Sequence, residues 1–219
     1  MTMPWGSIHW MTRAVFLDAL GTLVELEPPW ISLRDMVPAE VSDEQLVEAL
    51  KAEMAYYKEH AHEGRDEASL AELRERCADL VSRKLGLSVG VDELVAAIRF
   101  SAYPDAIPAL GGLRDRGLRL ITVSNWDCSL PRVLDGCGLG ELLDGTITSA
   151  EVGARKPDPA IFERALELAG CEPGEALHVG DTAEEDVTGA RAAGIRPLLI
   201  DRDGSHGDIA SLEEIDQHL

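Results

Sequence analysis

The chain has 219 residues, enough for one large domain or for a core with a smaller insert. Its 45% hydrophobic content can fill a core, and 27% charged residues is ordinary for a soluble protein. A formal net charge of −20 argues against nucleic acid and anionic membrane surfaces as partners, because both require a basic footprint.

The N-terminal segment MTMPWGSIHWMT has neither a basic region nor a long apolar run, so no secretory leader is expected. Met11 is a candidate start, with residues 1–10 an extension. No stretch reaches the roughly 20 apolar residues that span a bilayer. Cys77, Cys128, Cys137 and Cys171 form no CxxC pair and no metal-ligand spacing, and read as reduced thiols of a cytoplasmic protein.

The first predicted strand is Ala14 to Leu17, standing alone near the N-terminus. A stretch of different character follows, from about residue 25 to 103. Ser42 with Gln45 is a capping-box signal, and Leu46, Leu50, Met54 and Tyr57 then recur at helical spacing. A second helix is marked by Leu70, Leu73, Cys77, Leu80 and Val81 and stops at Gly86. A third runs from Asp92 to about Phe100. From there strands and helices alternate: strands at 118–123, 145–148, 176–179 and 197–200, helices at 105–116, 129–137, 157–169 and 184–193. Gly117, Gly138, Gly170 and Gly194 close these helices. Alternation of this kind means βαβ units and a parallel sheet. The expected architecture is a Rossmann-like α/β core, residues 12–24 and 104–219, interrupted by an all-helical insert at 25–103.

Four short segments carry chemistry. Asp18-Ala19-Leu20-Gly21-Thr22-Leu23 follows the apolar strand, and an aspartate at a strand's carboxyl end sits where open α/β sheets bind ligands; it can equally cap a turn. Ser124-Asn125 ends LRLITV and offers a hydroxyl and backbone N–H groups to an oxyanion, although such pairs also form ordinary turns. In Arg155-Lys156-Pro157-Asp158-Pro159, Pro157 suits a first helical turn and leaves Lys156 at the positive end of the helix dipole. Lys156 is one of four lysines in an arginine-rich chain. The last segment, Gly180-Asp181-Thr182-Ala183-Glu184-Glu185-Asp186, packs carboxylates that repel unless a cation sits among them. Mg²⁺ favours such ligands. Acidic residues at a helix start account for Glu184 to Asp186 but not for Gly180-Asp181.

Taken together, in this order, DxxGTL, SN, RKPDPxIF and HVGDTxxxD with GARAAG resemble the four motifs of the haloacid dehalogenase superfamily, over about residues 13–201. The helical insert resembles the C1-type cap of subfamily I. The resemblance implies a hydrolase with Asp18 as nucleophile. Mg²⁺ is then held by Asp18, the Leu20 carbonyl and Asp181, with Asp186 supporting its water shell. Ser124 and Thr22 would contact the substrate with Asn125 beside them, and Lys156 would offset the negative charge. The expected substrate is a small anionic metabolite.

One departure stands out. Family phosphatases carry a second aspartate two residues after the nucleophile, as proton donor and later base, and here that position is Leu20. Losing a general acid typically costs about 10²- to 10⁴-fold. A leaving group that needs no proton, a substitute such as Glu25 or Glu27, or a different reaction each answers this. The resemblance therefore leaves three readings open: a Mg²⁺-dependent phosphatase, a 2-haloacid dehalogenase whose halide leaves without a proton, or a catalytically weakened binding or regulatory protein. Trp30, Arg34, Tyr56, Tyr57, His60 and His62 in the insert, and Trp126 and Asp127 after Asn125, are the candidates for bordering the site. Tyr57 also fits an apolar packing stripe, and the two histidines fit exposed positions. No sequence feature fixes the oligomeric state.

Overall fold

The computed structural model describes residues 11–219, so the question of a native start at Met11 lies outside the described residues. Five strands form one sheet in the order β5-β4-β1-β6-β7: β1 (Ala14–Leu17), β4 (Arg119–Ser124), β5 (Gly145–Thr148), β6 (Ala176–Gly180) and β7 (Arg196–Leu199). All four pairings are parallel. β1 lies at the centre, with Leu17 registered on Thr122 of β4 and Val179 of β6. The expected Rossmann-like α/β core is the observed one.

The two-residue period of the strands sorts side chains onto two faces. Val15, Leu17, Leu120, Leu177 and Val179 face α5 (Ala106–Asp115), α6 (Leu130–Gly136) and the C-terminal 3₁₀ turn Leu212–His218. Ala14, Phe16, Ile121, Val123 and Ile147 face α8 (Pro159–Ala169) and α9 (Gly189–Ala192). Burial on both faces is why β1 reads as an unbroken apolar run and β6 as one interrupted only by His178. A short helix, α7 (Ser149–Val152), follows β5.

Between β1 and α5 lie a small antiparallel pair and four helices. The pair is β2 (Val24–Leu26) with β3 (Phe100–Ala102), and the helices are α1 (Pro29–Arg34), α2 (Asp43–His60), α3 (Glu67–Leu85) and α4 (Val91–Ala97). The capping box forms as expected, Gln45 N donating to Ser42 Oγ at 3.2 Å and Ser42 N to Gln45 Oε1 at 2.9 Å. Gly86 ends α3 in the left-handed region, φ 69°. Leu33, Leu46, Leu50, Leu73, Val81 and Leu94 give the insert a core of its own.

Three expectations are corrected. The third insert helix stops at Ala97, and Phe100 lies in β3, because three residues are too few to reveal a strand period. The helix after Lys156 begins at Pro159, not Pro157; Asp158 caps it and the Lys156–Pro157 peptide is cis. The helix predicted at 184–193 is a π-helical turn, Ala183–Thr188, running into α9. Among the described residues, no helix is long and apolar enough to cross a membrane.

Phe162 is fully buried against the second face and meets the edge of the His178 ring, centroids 5.0 Å apart. Phe162→Ala opens a cavity there and should cost about 3–5 kcal/mol, read as a lower urea midpoint at unchanged m-value.

Candidate active site

The carboxyl ends of β1, β4 and β6 converge on one buried ammonium. Lys156, 1% exposed, places Nζ 2.5 Å from Asp18 Oδ1 and 2.6 Å from Asp186 Oδ1. Asp18 follows β1 directly, and its amide donates to the Val179 carbonyl at 2.9 Å, extending the ladder towards β6. Asn125, at the end of β4, fixes the backbone of Lys156 from both sides: Lys156 N donates to Oδ1 at 2.7 Å, and Nδ2 donates to the Lys156 carbonyl at 3.0 Å. The same Nδ2 donates to Glu185 Oε2 at 3.1 Å.

Asp186 is held on every side. Its Oδ1 meets Lys156 and His178 Nε2 at 2.8 Å, and its Oδ2 accepts from the Thr182 amide at 3.0 Å. The π-helical turn brings the carboxylate back over Gly180, where any Cβ would overlap it. Gly21 has φ 84°, and a Cβ there would overlap the Asp181 carboxylate. Both glycines of the chemistry-bearing segments are thus required by close approach.

The charges compensate one another unevenly. Burial pulls the Lys156 ammonium down, but the charges of Asp18 and Asp186 outweigh it, and its pKa rises above that of an ordinary lysine. Burial favours the neutral form of Asp186 too, yet Lys156 and His178 hold it well below the usual carboxylate range. Asp18 goes the other way: burial, with Asp186 adding repulsion against the pull of Lys156, pushes it up to about 7. Desolvation and then the charge of Asp186 raise Asp181. Burial lowers the pKa of His178, so its neutral ring donates from Nε2 and leaves Nδ1 buried without a partner.

Asp18, Asp181 and Asp186 each offer an oxygen within 4.8 Å of the others. Ionised, three carboxylates against the Lys156 ammonium leave a net −2, the charge that one divalent cation cancels. Asp18, Asp181 and Asp186 are thus the residues that could hold a cation, and both oxygens of Asp186 are also engaged by hydrogen bonds.

The other candidates divide. Ser124 is buried at the end of β4, level with the turn after Asp18. Thr22 is fully buried, and its Oγ1 meets no hydrogen-bond partner among the described residues. Asn125 is spent on Lys156 and Glu185, so its side chain positions the lysine. Leu20 is 40% exposed, while Glu25 and Glu27, on and after β2, face solvent. Arg34 is used inside the insert, donating to the carbonyls of Val41 and Pro38 and pairing with Asp43. Trp126 is buried beside Phe100. Tyr57 does more than pack: its hydroxyl donates to Asp127 Oδ2 at 2.6 Å, joining insert to core. His60 is half-buried and stacked on Tyr56.

Sequence reasoning passed over His178 and Lys58, and read Glu185 only as one of the acidic residues at a helix start. A histidine inside the apolar strand ALHVG was the available signal for the first. Nothing local marks Lys58, whose Nζ reaches Glu185 Oε1 at 3.2 Å from α2.

Comparison with known proteins gives this geometry a family. The model of haloacid dehalogenase-like hydrolases matches residues 12–194. Haloacid dehalogenase-like hydrolase domain-containing protein 3 of Bos taurus is 47% identical over 91 residues, which cover 42% of this chain and 36% of that protein. The phosphoserine phosphatase of Thermus thermophilus is 43% identical over 105 residues, covering 48% and 42%. These matches span less than half of the relatives' length. A crystal structure of a dehalogenase superposes with a TM-score of 0.72 at 26% identity, over 95% of this chain and 97% of that one. With its parallel sheet, its strand-end acidic cluster and a family match across most of its length, the chain belongs to the haloacid dehalogenase-like hydrolases.

Proposed function

We propose that the chain is a Mg²⁺-dependent phosphatase that acts on a small phosphorylated metabolite through an aspartyl-phosphate intermediate. The observation that carries this reading is Asp181 beside Asp18: two strand-end carboxylates, with Asp186 behind them, make a doubly negative site that displacement of a halide has no need of. The phosphatase names among the relatives support it. A cytoplasmic setting fits the four free cysteines.

In this reading Asp18 attacks phosphorus, a bond forms from its carboxylate oxygen, and the bond to the leaving oxygen breaks with its electron pair. Water then attacks the same phosphorus and frees the carboxylate. Lys156 keeps one Asp18 oxygen fixed and cancels part of the cluster's charge. Ser124 donates to a phosphoryl oxygen, and Thr22 shapes the turn below it. Asn125 and His178 hold Lys156 and Asp186 in place. A bound Mg²⁺ supplies charge neutralisation and Lewis acidity. Positioning and charge compensation carry most of phosphoryl transfer, and these residues supply both; what the set lacks is a proton donor at Leu20.

Leu20 supports a second reading. An apolar side chain stands where a proton donor is expected, which suits a halide leaving group, and the dehalogenase likeness agrees. Assays of phosphate esters and 2-chloropropionate, each with Mg²⁺ and with EDTA, separate the two. Phosphate release that EDTA abolishes is expected; EDTA-resistant chloride release would replace phosphatase by dehalogenase. No turnover of either class, with cation binding retained, would favour a binding or regulatory role. Asp18→Asn should lose activity about 10⁴-fold or more while keeping the wild-type circular dichroism spectrum.

Because Leu20 donates no proton, turnover should favour weakly basic leaving groups. Leu20→Asp should raise kcat/KM for alkyl phosphates by about 10²-fold and change 4-nitrophenyl phosphate little. An equal gain on both would defeat this account of Leu20.

The pKa of Asp18 gives the cation a pH signature. Between 3.8 and about 7 the folded chain holds a proton on Asp18 that the unfolded chain has lost, so this group lowers the stability of the cation-free protein as pH rises through that window. Cation binding displaces that proton and must strengthen over the same range. Mg²⁺ at about 100 times Kd adds about 2.7 kcal/mol, or about 5–10 °C in Tm for a chain of this size. The rise should be larger at pH 8 than at pH 6 and should vanish in Asp181→Asn, as measured by thermal melts.

A further inference from the structure

The turn that carries Leu20 and Gly21 is held from outside by one guanidinium. Within the turn, the Ala19 carbonyl accepts the amides of Thr22, Leu23 and Val24, and the Val24 carbonyl accepts that of Gly21. The carbonyl of Thr22, a residue with no exposure, takes no part in that pattern. A buried carbonyl needs a donor, and Arg202 Nη2 provides it from the segment after β7.

The same side chain touches two further segments. Its Nη1 pairs with Asp105 Oδ2 at 2.6 Å, just before α5, and its guanidinium lies 3.9 Å from the centroid of the Tyr103 ring. Tyr103 follows β3, and its amide donates to the Leu23 carbonyl at 3.1 Å. Asp105 Oδ2 is fixed in turn by Ser211 Oγ and the Leu212 amide, both at 2.8 Å. The guanidinium therefore joins the turn after Asp18 to the strand by which the chain returns from the helical insert, and anchors both on the core.

The pair is not in its most satisfied pose. Arg202 Nε and Asp105 Oδ1 are both buried without partners among the described residues. A bidentate Arg–Asp fork would use them together. Instead the guanidinium reaches for the Thr22 carbonyl, and unpaired buried groups of this kind ask for a reason.

We infer that Arg202 is a positioning residue for the reaction: it clamps the turn after Asp18 through the Thr22 carbonyl and ties that turn to the hinge of the insert. It meets neither Asp18 nor Lys156, and acts through the backbone that sets where Leu20 and Gly21 stand. Lysine cannot replace it, because an ammonium lacks the planar fork that spans Asp105 and Thr22 while lying on the Tyr103 ring.

The test uses the full chain with Mg²⁺ and 4-nitrophenyl phosphate, comparing wild type with Arg202→Lys and Arg202→Met well below their melting temperatures. The kinetic arm rests on the phosphatase reading; amide hydrogen exchange over residues 18–24 does not. Expected for both variants is a kcat lower by about 10- to 100-fold with KM within about twofold, since small misplacements near reacting groups cost on this scale. Exchange in the turn should quicken while β4 and β6 keep their protection. A lower Tm with wild-type kcat and unchanged exchange in the turn would reduce Arg202 to a stabilising contact and overturn the inference. If Arg202→Met does not fold, Arg202→Lys alone decides by the same readouts. If wild type turns over no phosphate ester, the phosphatase reading fails, and the exchange result still decides whether Arg202 clamps the turn.

Discussion

A single ammonium enclosed by two carboxylates holds this structure to its chemistry. Lys156 is buried away from water, and among the described residues Asp18 and Asp186 repay that loss. The arrangement is stable only while the three chain segments that bring these groups together stay in register. β1 and β6 pair directly, which sets Asp18 beside the strand leading to Asp186. Asn125 then reaches across from β4 and pins the backbone of Lys156. The sheet order is therefore part of the electrostatics: a one-residue slip in either pairing would leave an uncompensated charge in the core.

The insert meets this centre through a short seam. Tyr57 bonds to Asp127, two residues beyond Asn125, and the Gly64 carbonyl accepts the Cys128 amide at 2.8 Å. Lys58 reaches Glu185, which also takes the Asn125 amide. The exposed Lys58–Glu185 pair contributes little energy, since its lysine is 60% exposed. Its position matters more, because the acceptor it shares with Asn125 puts an insert cation one residue from the network that orders Lys156. Tyr57 and Asp127 are more enclosed, and the hydrogen bond between them is the firmer tie.

Most of the core was legible because its strands are buried on both faces and its helices end in glycines with left-handed backbone. β1 spans the very residues expected, and Gly117, Gly138, Gly170 and Gly194 all have positive φ. Asp18, Lys156, Asp181 and Asp186 were legible too, since strand-end carboxylates and a lone lysine stand out against apolar runs. What stayed hidden depends on partners distant in sequence. Asn125 read as a ligand contact, yet its amide is consumed by a residue 31 positions away. Nothing in the sequence around Arg202 marks it, and only the fold reveals the Thr22 carbonyl, 180 positions earlier, that it serves. The π-helical turn escaped because its residues share the composition of an ordinary helix start. β2, β3 and α1 were too short for periodicity to register.

The paired strands β2 and β3 bring the two ends of the insert to one place. The polypeptide leaves the sheet and comes back through two adjacent three-residue ribbons, and what lies between them closes over its own apolar interior. A change of length inside that bundle is therefore absorbed between two strands that already touch, and the order of the parallel strands stays as it is.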